Sequence, residues 1–376
     1  MYITYYLNTI RPHQITFEEL YANFNKPPVP DVQQDPFKKF TAIIELTTEN
    51  LPHYLHDYPI EGYCKAIKSI IEKPNPDALK EDMSSEYHTF QIPKHSGGFR
   101  TIEAPNDDLK KFQSELKEYF DNTCNALPHN AAYAYIKHRE VKNALEKHRN
   151  SNWFLKLDVH GFFPSCNLEA IYSHIKQVFP FSVFPTDCDE ALKTAIQYGL
   201  INDHLPQGTP MSPVLTNLMM VPFDTELSRL LTKEFIYTRY ADDLLISSPY
   251  QFDWAEMQTK IVTLLKTLNY PFELNQGKTR YGSINGRNWN LGLMLNKDHQ
   301  ITLGHAKKQR YKAAIFNFCN DLTKGKIWDR IDVQVLSGQL AYGKNIEPEY
   351  FNNLIQKYNQ KFQINFDAEC KIIINS

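Results

Sequence analysis

The chain has no run of 18 or more apolar residues, so no stretch reads as a membrane-spanning helix. Its first residues, MYITYYLNTIRPHQITFEEL, lack a basic stretch followed by an apolar run and a small-residue cleavage site, which argues against a secretory leader. Together these absences predict a cytoplasmic protein with no membrane partner. Cysteine is sparse: six residues, Cys64, Cys124, Cys166, Cys188, Cys319 and Cys370, are scattered and never fall in C-x-x-C pairs. That excludes a zinc-finger reading and a disulfide framework, and leaves reduced thiols. His53 and His56 form an H-x-x-H without a second ligand pair, which reads as ordinary packing or surface histidines. No internal repeat or low-complexity tract is present.

Net charge is also nearly absent, −2 over 376 residues, but its distribution is uneven. Residues 1–90 carry 8 Lys/Arg against 13 Asp/Glu, whereas 301–330 carry 7 against 2 and 131–150 carry 5 against 2. Such segregation fits either of two readings, ordinary solvated faces or the footprint of a chain that meets a polyanion over part of its surface.

What is present is a mixture of helical and strand-like stretches punctuated by 22 prolines and 14 glycines, an order that predicts an α+β fold. FNKPPVPDVQQDP (24–36) reads as an irregular connection ahead of a helical pattern around 37–72. HTFQIPKHSGGFRTIEA (88–104) reads as a hairpin turning at Gly97 and Gly98, with Lys94 and Arg100 on its arms. Leu109, Phe112 and Leu116 recur at helical spacing, as do apolar positions in 168–178, 214–230, 306–318 and 348–362, and mark core-facing stripes. Strands are clearest at 153–158, 235–240 and 244–248.

Between the last two strands lie only Ala241, Asp242 and Asp243. Adjacent aspartates are common in turns, yet like charges side by side repel unless a cation or solvent neutralises them. A third carboxylate, Asp158, ends another apolar strand and is followed by Gly161, Phe162, Phe163 and Pro164. Oxygen ligands of this kind suit Mg²⁺, and three convergent carboxylates can hold a pair of ions.

FLKLDVHGFFPS, LPQGTPMSPVLTNL and YTRYADDLL, in that order, resemble the palm motifs A, B and C of reverse transcriptases. IPKHSGGFRTIEAP (92–105) is similar to the family's fingers hairpin, and AAYAYIKHREVKNALEKH (131–148) to the segment before motif A. LNQGKT (274–279) and WNLGLMLN (289–296) are similar to motif D and to motif E at the primer grip. The resemblance implies a right-hand polymerase fold: fingers near 88–150 interleaved with 166–205, a palm with an antiparallel sheet, and a helical thumb. Domain boundaries follow at 1–87 for a helical N-terminal extension, 88–299 for fingers and palm, and 300–376 for the thumb.

It also implies roles. Asp158, Asp242 and Asp243 would hold two Mg²⁺ ions, with Mn²⁺ as a substitute. Lys94 and Arg100 would grip the incoming triphosphate, and Phe163 would exclude a ribose 2′-hydroxyl, making the product DNA. Gln207 and Gly208 would lie under the nascent pair, with Pro206 and Pro210 fixing the loop. Lys278 would be a general acid for the leaving pyrophosphate. Tyr240 would pack under the primer end, and Lys307, Lys308, Arg310 and Lys312 would track the duplex through its phosphates.

The expected partners are an RNA template, namely a dedicated non-coding RNA, together with dNTPs, the DNA product, and either a protein partner or a homo-oligomer. Asn143, Ala144 and His148 are spaced more widely than the retron N-A-x-x-H, and Asn290, Leu291 and Gly292 stand where retrons carry V-T-G. These departures favour a stand-alone bacterial reverse transcriptase of antiphage defence over a retron. Two alternatives share the motifs: a template-independent or protein-primed DNA polymerase, and a non-enzymatic RNA-binding scaffold with a degenerate palm.

Overall fold

The computed structural model describes residues 2–8, 39–45, 60–73, 83–93, 97–123, 129–284, 288–290 and 292–375. They fall into two compact units. The first comprises Met1–Arg139, Lys156–Ile246 and Asp253–Arg280, and the second Glu140–Leu155, Ser247–Phe252 and Tyr281–Ser376.

In the first unit, β1 (Tyr2–Asn8) pairs antiparallel with β2 (Lys39–Glu45), Tyr2 opposite Glu45. Of the span 37–72 expected to be helical, residues 39–45 are thus β2 and Ile60–Ile71 form α1, while residues 46–59 lie outside the described residues. KFTAIIE is a short apolar run that periodicity alone cannot assign, and its β-branched content pairs as a strand. The expected hairpin forms from β3 (Tyr87–Pro93) and β4 (Phe99–Pro105), paired from Tyr87↔Pro105 to Pro93↔Phe99. Gly97 and Gly98, both at positive φ, make its turn.

Helix α2 (Asp107–Thr123) follows, its first turn capped by Asn106 Oδ1, which accepts from the Leu109 amide at 2.9 Å. Leu109, Phe112, Leu116 and Phe120 form its buried stripe. Buried Gln113 donates to Tyr87 Oη and to the Tyr198 carbonyl, tying the base of the hairpin to the core.

The central sheet has the strand order β6-β7-β5-β8, with β9 beside β5. Its strands are β5 (Trp153–His160), β6 (Ile236–Tyr240), β7 (Asp243–Ser248), β8 (Glu273–Leu274) and β9 (Arg280–Ser283). Consecutive residues Leu244, Leu245 and Ile246 are buried. Since neighbours on a strand face opposite ways, both faces of the sheet are covered.

Four helices complete this packing or lie beside it: α4 (Leu168–Ile175), α5 (Thr186–Gln197), α6 (Met211–Met219) and α7 (Val221–Leu230). The single helical stretch expected over 214–230 is therefore two helices. Pro222 has no amide to continue a helix and sits in the first turn of the second one. Helix α8 (Trp254–Thr267) is capped by Asp253, whose carboxylate accepts from the amides of Ala255 and Glu256.

The second unit contains a short helix (Val141–Lys147), a three-stranded sheet and four helices. The sheet joins Asn288–Asn290, Leu293–Leu295 and Ile301–Thr302. The helices are His305–Thr323, Arg330–Ile346, Pro348–Phe362 and Phe366–Asn375. The stripes expected at 306–318 and 348–362 are buried through Tyr311, Ile315 and Phe318 on one helix and Leu354 and Tyr358 on another. Gly343 permits close helix packing, because a Cβ there would meet the Phe351 ring at 2.8 Å. No helix among the described residues is long and apolar enough to cross a membrane.

Candidate active site

The turn between β6 and β7 consists of Ala241 and Asp242, one residue tighter than expected, since Asp243 already belongs to β7. Ala241 adopts a left-handed backbone (φ 56°), which a residue with a Cβ takes only when its surroundings impose it. A buried network does so. Arg239 is 1% exposed and its Nε and Nη2 donate to the Asp224 carboxylate, Nη2 to Oδ2 at 2.8 Å. Its Nη1 reaches Asn217 Oδ1 at 3.2 Å and the Ala241 carbonyl at 3.4 Å. Tyr237 Oη donates to the same Asp224 at 2.7 Å. Helices α6 and α7 thereby grip the strand that carries the turn.

Backbone hydrogen bonds hold two of the three aspartates, Asp242 and Asp158, in place. The Val159 amide donates to the Asp242 carbonyl at 3.0 Å, and the Asn275 amide to the Asp158 carbonyl at 2.8 Å. Asp158 is buried, and its Oδ1 accepts from Lys278 Nζ at 2.8 Å. Asp243 Oδ2 accepts from Lys156 Nζ, also at 2.8 Å. Among the described residues no lysine or arginine forms an ion pair with Asp242, although the charge of Lys278 reaches it. Burial, with the neighbouring charges of Asp243 and Asp158, pushes its carboxyl up to about 6. Lys278 is held above its ordinary value by its hydrogen bond to Asp158, so it stays protonated.

Among the described residues no three His, Cys, Asp or Glu side chains are gathered as a ready metal cage. Lysines engage two of the three carboxylates. The donor set is nevertheless one that a divalent cation fits: hard oxygens, partly buried and mutually repelling, with one carboxyl raised by burial and by its acidic neighbours.

Phe163 lies beyond Asp158 with its ring at 5.5 Å from Phe162 and 6.4 Å from Tyr135. The loop of Gln207 and Gly208 meets the hairpin directly, the Glu103 amide donating to the Gln207 carbonyl at 2.9 Å. Gly208 has φ +118°, and a Cβ there would stand 2.8 Å from Ile102 Cγ2. Ser212 Oγ donates to the Pro206 carbonyl at 2.6 Å and fixes the loop from the other side. Arg100 is exposed on β4, whereas Lys94 lies outside the described residues. Tyr240 is half-buried beside the turn.

In the second unit, Arg310 and Lys312 are exposed and Lys307 stands over the Tyr342 ring at 5.3 Å. Lys308, also expected at the duplex phosphates, already has a partner within the unit. Its Nζ binds Glu347 Oε2 at 2.5 Å and sits 4.7 Å from the Tyr350 ring, so its charge is neutralised within the unit.

Three features escaped the sequence reading. Lys156 could have been found, because it lies two residues before Asp158 and so on the same face of β5. Arg239 and Tyr135 carried no signal in spacing or composition.

Residues 92–312 match the family described as reverse transcriptase (RNA-dependent DNA polymerase). The chain is similar to Retron Ec73 reverse transcriptase of Escherichia coli, 31% identical over 73% of this chain and 87% of that one. It is also similar to Retron Ec83 reverse transcriptase of the same organism, 27% identical over 78% and 95%. Among solved structures it is similar to apo telomerase from Candida Tropicalis, with a TM-score of 0.46 and 13% identity over 76% of this chain and 63% of that one. The chain spans about three fifths of the telomerase chains it matches.

These relatives bear out the expected stand-alone bacterial reverse transcriptase and give it a retron type, within which the altered N-A-x-x-H spacing is a local departure. The residues concerned do structural work. Asn143 Oδ1 accepts from the Glu140 amide at 2.9 Å in a capping box, while His148 is fully buried against Ser247 Oγ at 2.6 Å. Local packing can absorb one residue of spacing there without touching the chemistry. Membership of the family carries a general dependence on divalent metal, without naming the ion. The chain belongs to the reverse transcriptases, to their bacterial retron type, and is an RNA-directed DNA polymerase.

Proposed function

We propose that this polymerase joins deoxynucleotides by a two-metal mechanism centred on Asp158, Asp242 and Asp243, with Mg²⁺ as the working ion. The observation that carries the reading is the partly buried carboxylate cluster in which Asp242 is raised to about 6, chiefly by burial and then by the charges of Asp243 and Asp158. When bound, the ions would supply activation of the attacking hydroxyl and charge neutralisation at the leaving oxygen.

The chain's own residues do the rest. Lys278 Nζ, kept protonated beside Asp158, is placed to give its proton to the leaving pyrophosphate. Arg100 offers a planar fork to the triphosphate, with Lys94 as its companion. Phe163 closes the space a ribose 2′-hydroxyl would need, and Gln207 and Gly208 support the nascent pair. Tyr240 underlies the primer end. We assign fingers and palm to 88–299 and a helical thumb to 300–376, where Lys307, Arg310 and Lys312 face duplex phosphates. The template is a dedicated non-coding RNA, and the DNA product serves antiphage defence in the cytoplasm.

The test is dNTP incorporation by purified protein on a primed RNA template across a Mg²⁺ titration. Chelation should abolish incorporation and added Mg²⁺ restore it. Asp158→Asn and Asp242→Asn should each lower kcat on the order of a hundredfold or more. Full incorporation by chelated wild type would overturn the mechanism.

A further inference from the structure

Tyr135 is a large aromatic residue that is 56% exposed, directly after Tyr133 and Ala134, which are buried. Its backbone is left-handed (φ 61°), a conformation that costs a tyrosine about 1–2 kcal/mol and persists only where neighbours impose it. They do. The Tyr133 amide donates to the Arg239 carbonyl at 2.8 Å, and the Arg239 amide to the Ala131 carbonyl at 2.6 Å. Asn217 Nδ2 donates to the Ala134 carbonyl at 3.0 Å. The segment is therefore held by the same Arg239 and Asn217 that brace the catalytic turn.

What this clamp presents is a ring set edge-to-face against Phe163, centroids 6.4 Å apart and planes at 62°. Burial raises the titration of the Tyr135 hydroxyl, and the Asp242 carboxylate raises it further while Arg100 opposes them. Tyr135 is thus open to solvent, packed edge-on against Phe163, and within electrostatic reach of Arg100, proposed to grip the triphosphate, and of Asp242, a proposed metal ligand.

We infer that Tyr135 is a specificity-determining residue of the incoming-nucleotide pocket, forming with Phe163 the aromatic wall that fits the sugar of a deoxynucleoside triphosphate. The inference rests on the reading of Arg100 and Phe163 as nucleotide-site residues. Tyr135 holds the gate ring at its angle. Removing it lets Phe163 tilt away, which loosens binding of the correct nucleotide and admits ribonucleotides.

The experiment uses full-length protein on a primed RNA template. It measures KM and kcat for dTTP and UTP, and separately dTTP affinity in Ca²⁺ on a dideoxy-terminated primer. Tyr135→Asn removes the ring while suiting the left-handed backbone, so its melting temperature should equal or exceed that of wild type. Its KM and dissociation constant for dTTP should rise roughly three- to tenfold, the worth of one aromatic pair, with kcat less affected and the dTTP/UTP preference reduced. Tyr135→Phe keeps the ring pair and should stay within about twofold of wild type on all three. If Tyr135→Asn leaves affinity, KM and preference within about twofold, the inference fails. Wild type that binds dTTP without extending a primer would sink the polymerase mechanism while the affinity comparison still decides on Tyr135, and wild type that binds no dTTP would overturn both.

Discussion

Asp242→Asn should destroy polymerisation and at the same time stabilise the metal-free protein. The fold lifts the Asp242 carboxyl from its ordinary value of 3.8 to about 6, chiefly by burial and then by the charges of Asp243 and Asp158. The fold thus favours the protonated form. That carboxyl contributes its stabilisation fully below about pH 3.8 and loses it as pH rises through about 6. At pH 7.5 the ionised side chain costs about 3 kcal/mol relative to its protonated state. Asparagine resembles the protonated form in size and carries no charge, so the variant avoids that cost.

The assay is a pair of thermal or urea melts in EDTA across pH. The variant should be about 3 kcal/mol more stable at pH 7.5, about half that near pH 5, and no more stable than wild type below about pH 4. Saturating Mg²⁺ should close the gap, because only the intact carboxylates bind it, a ligand at a hundred times its dissociation constant contributing about 2.7 kcal/mol. A variant less stable than wild type at pH 7.5, or a difference that does not change with pH, would refute the reasoning.

The buried pair beneath the turn gives another test. Arg239→Met strands the Asp224 carboxylate and should cost about 3–5 kcal/mol, whereas adding Asp224→Leu and Tyr237→Phe removes the stranded charge and the hydroxyl paired with it and should restore most of the loss. Primer extension should stay impaired in the restored protein, because the Ala241 carbonyl has still lost its donor; full activity would mean the network serves stability alone. Gly208→Ala introduces both a clash with Ile102 and a strained φ, at a cost of about 1–3 kcal/mol. Its KM for dNTP should rise, and Ile102→Ala in the same chain should recover only part of the loss, since it relieves the clash and not the backbone; an unchanged KM in Gly208→Ala would contradict the close approach.

The carboxylates were legible because motif spacing put each at the end of an apolar strand, and strands that alternate in pairs deliver their ends to one place. The β3–β4 hairpin and the long helices were equally plain, since Gly97–Gly98 and stripes such as Tyr311, Ile315 and Phe318 are local signals. Residues 39–45 were misread because seven residues with a central apolar run fit either period. The break at Met220 went unseen although Pro222 announces it. Tyr135 and Arg239 were out of reach for a different reason. Their meaning lies in pairings with Phe163, and with Asp224 and Asn217, contacts that no local pattern encodes. Asn143 and His148, which mark the departure from retron spacing, are packing residues, Asn143 in a capping box and His148 buried against Ser247.

The most direct test of RNA-directed DNA synthesis is sequencing of the nucleic acid that co-purifies with tagged wild type and with Asp242→Asn, before and after RNase and DNase digestion. A discrete RNA with both proteins, and DNA complementary to it with wild type alone, is the expected result. DNA in wild type without any complementary RNA, or complementary DNA persisting in Asp242→Asn, would contradict it.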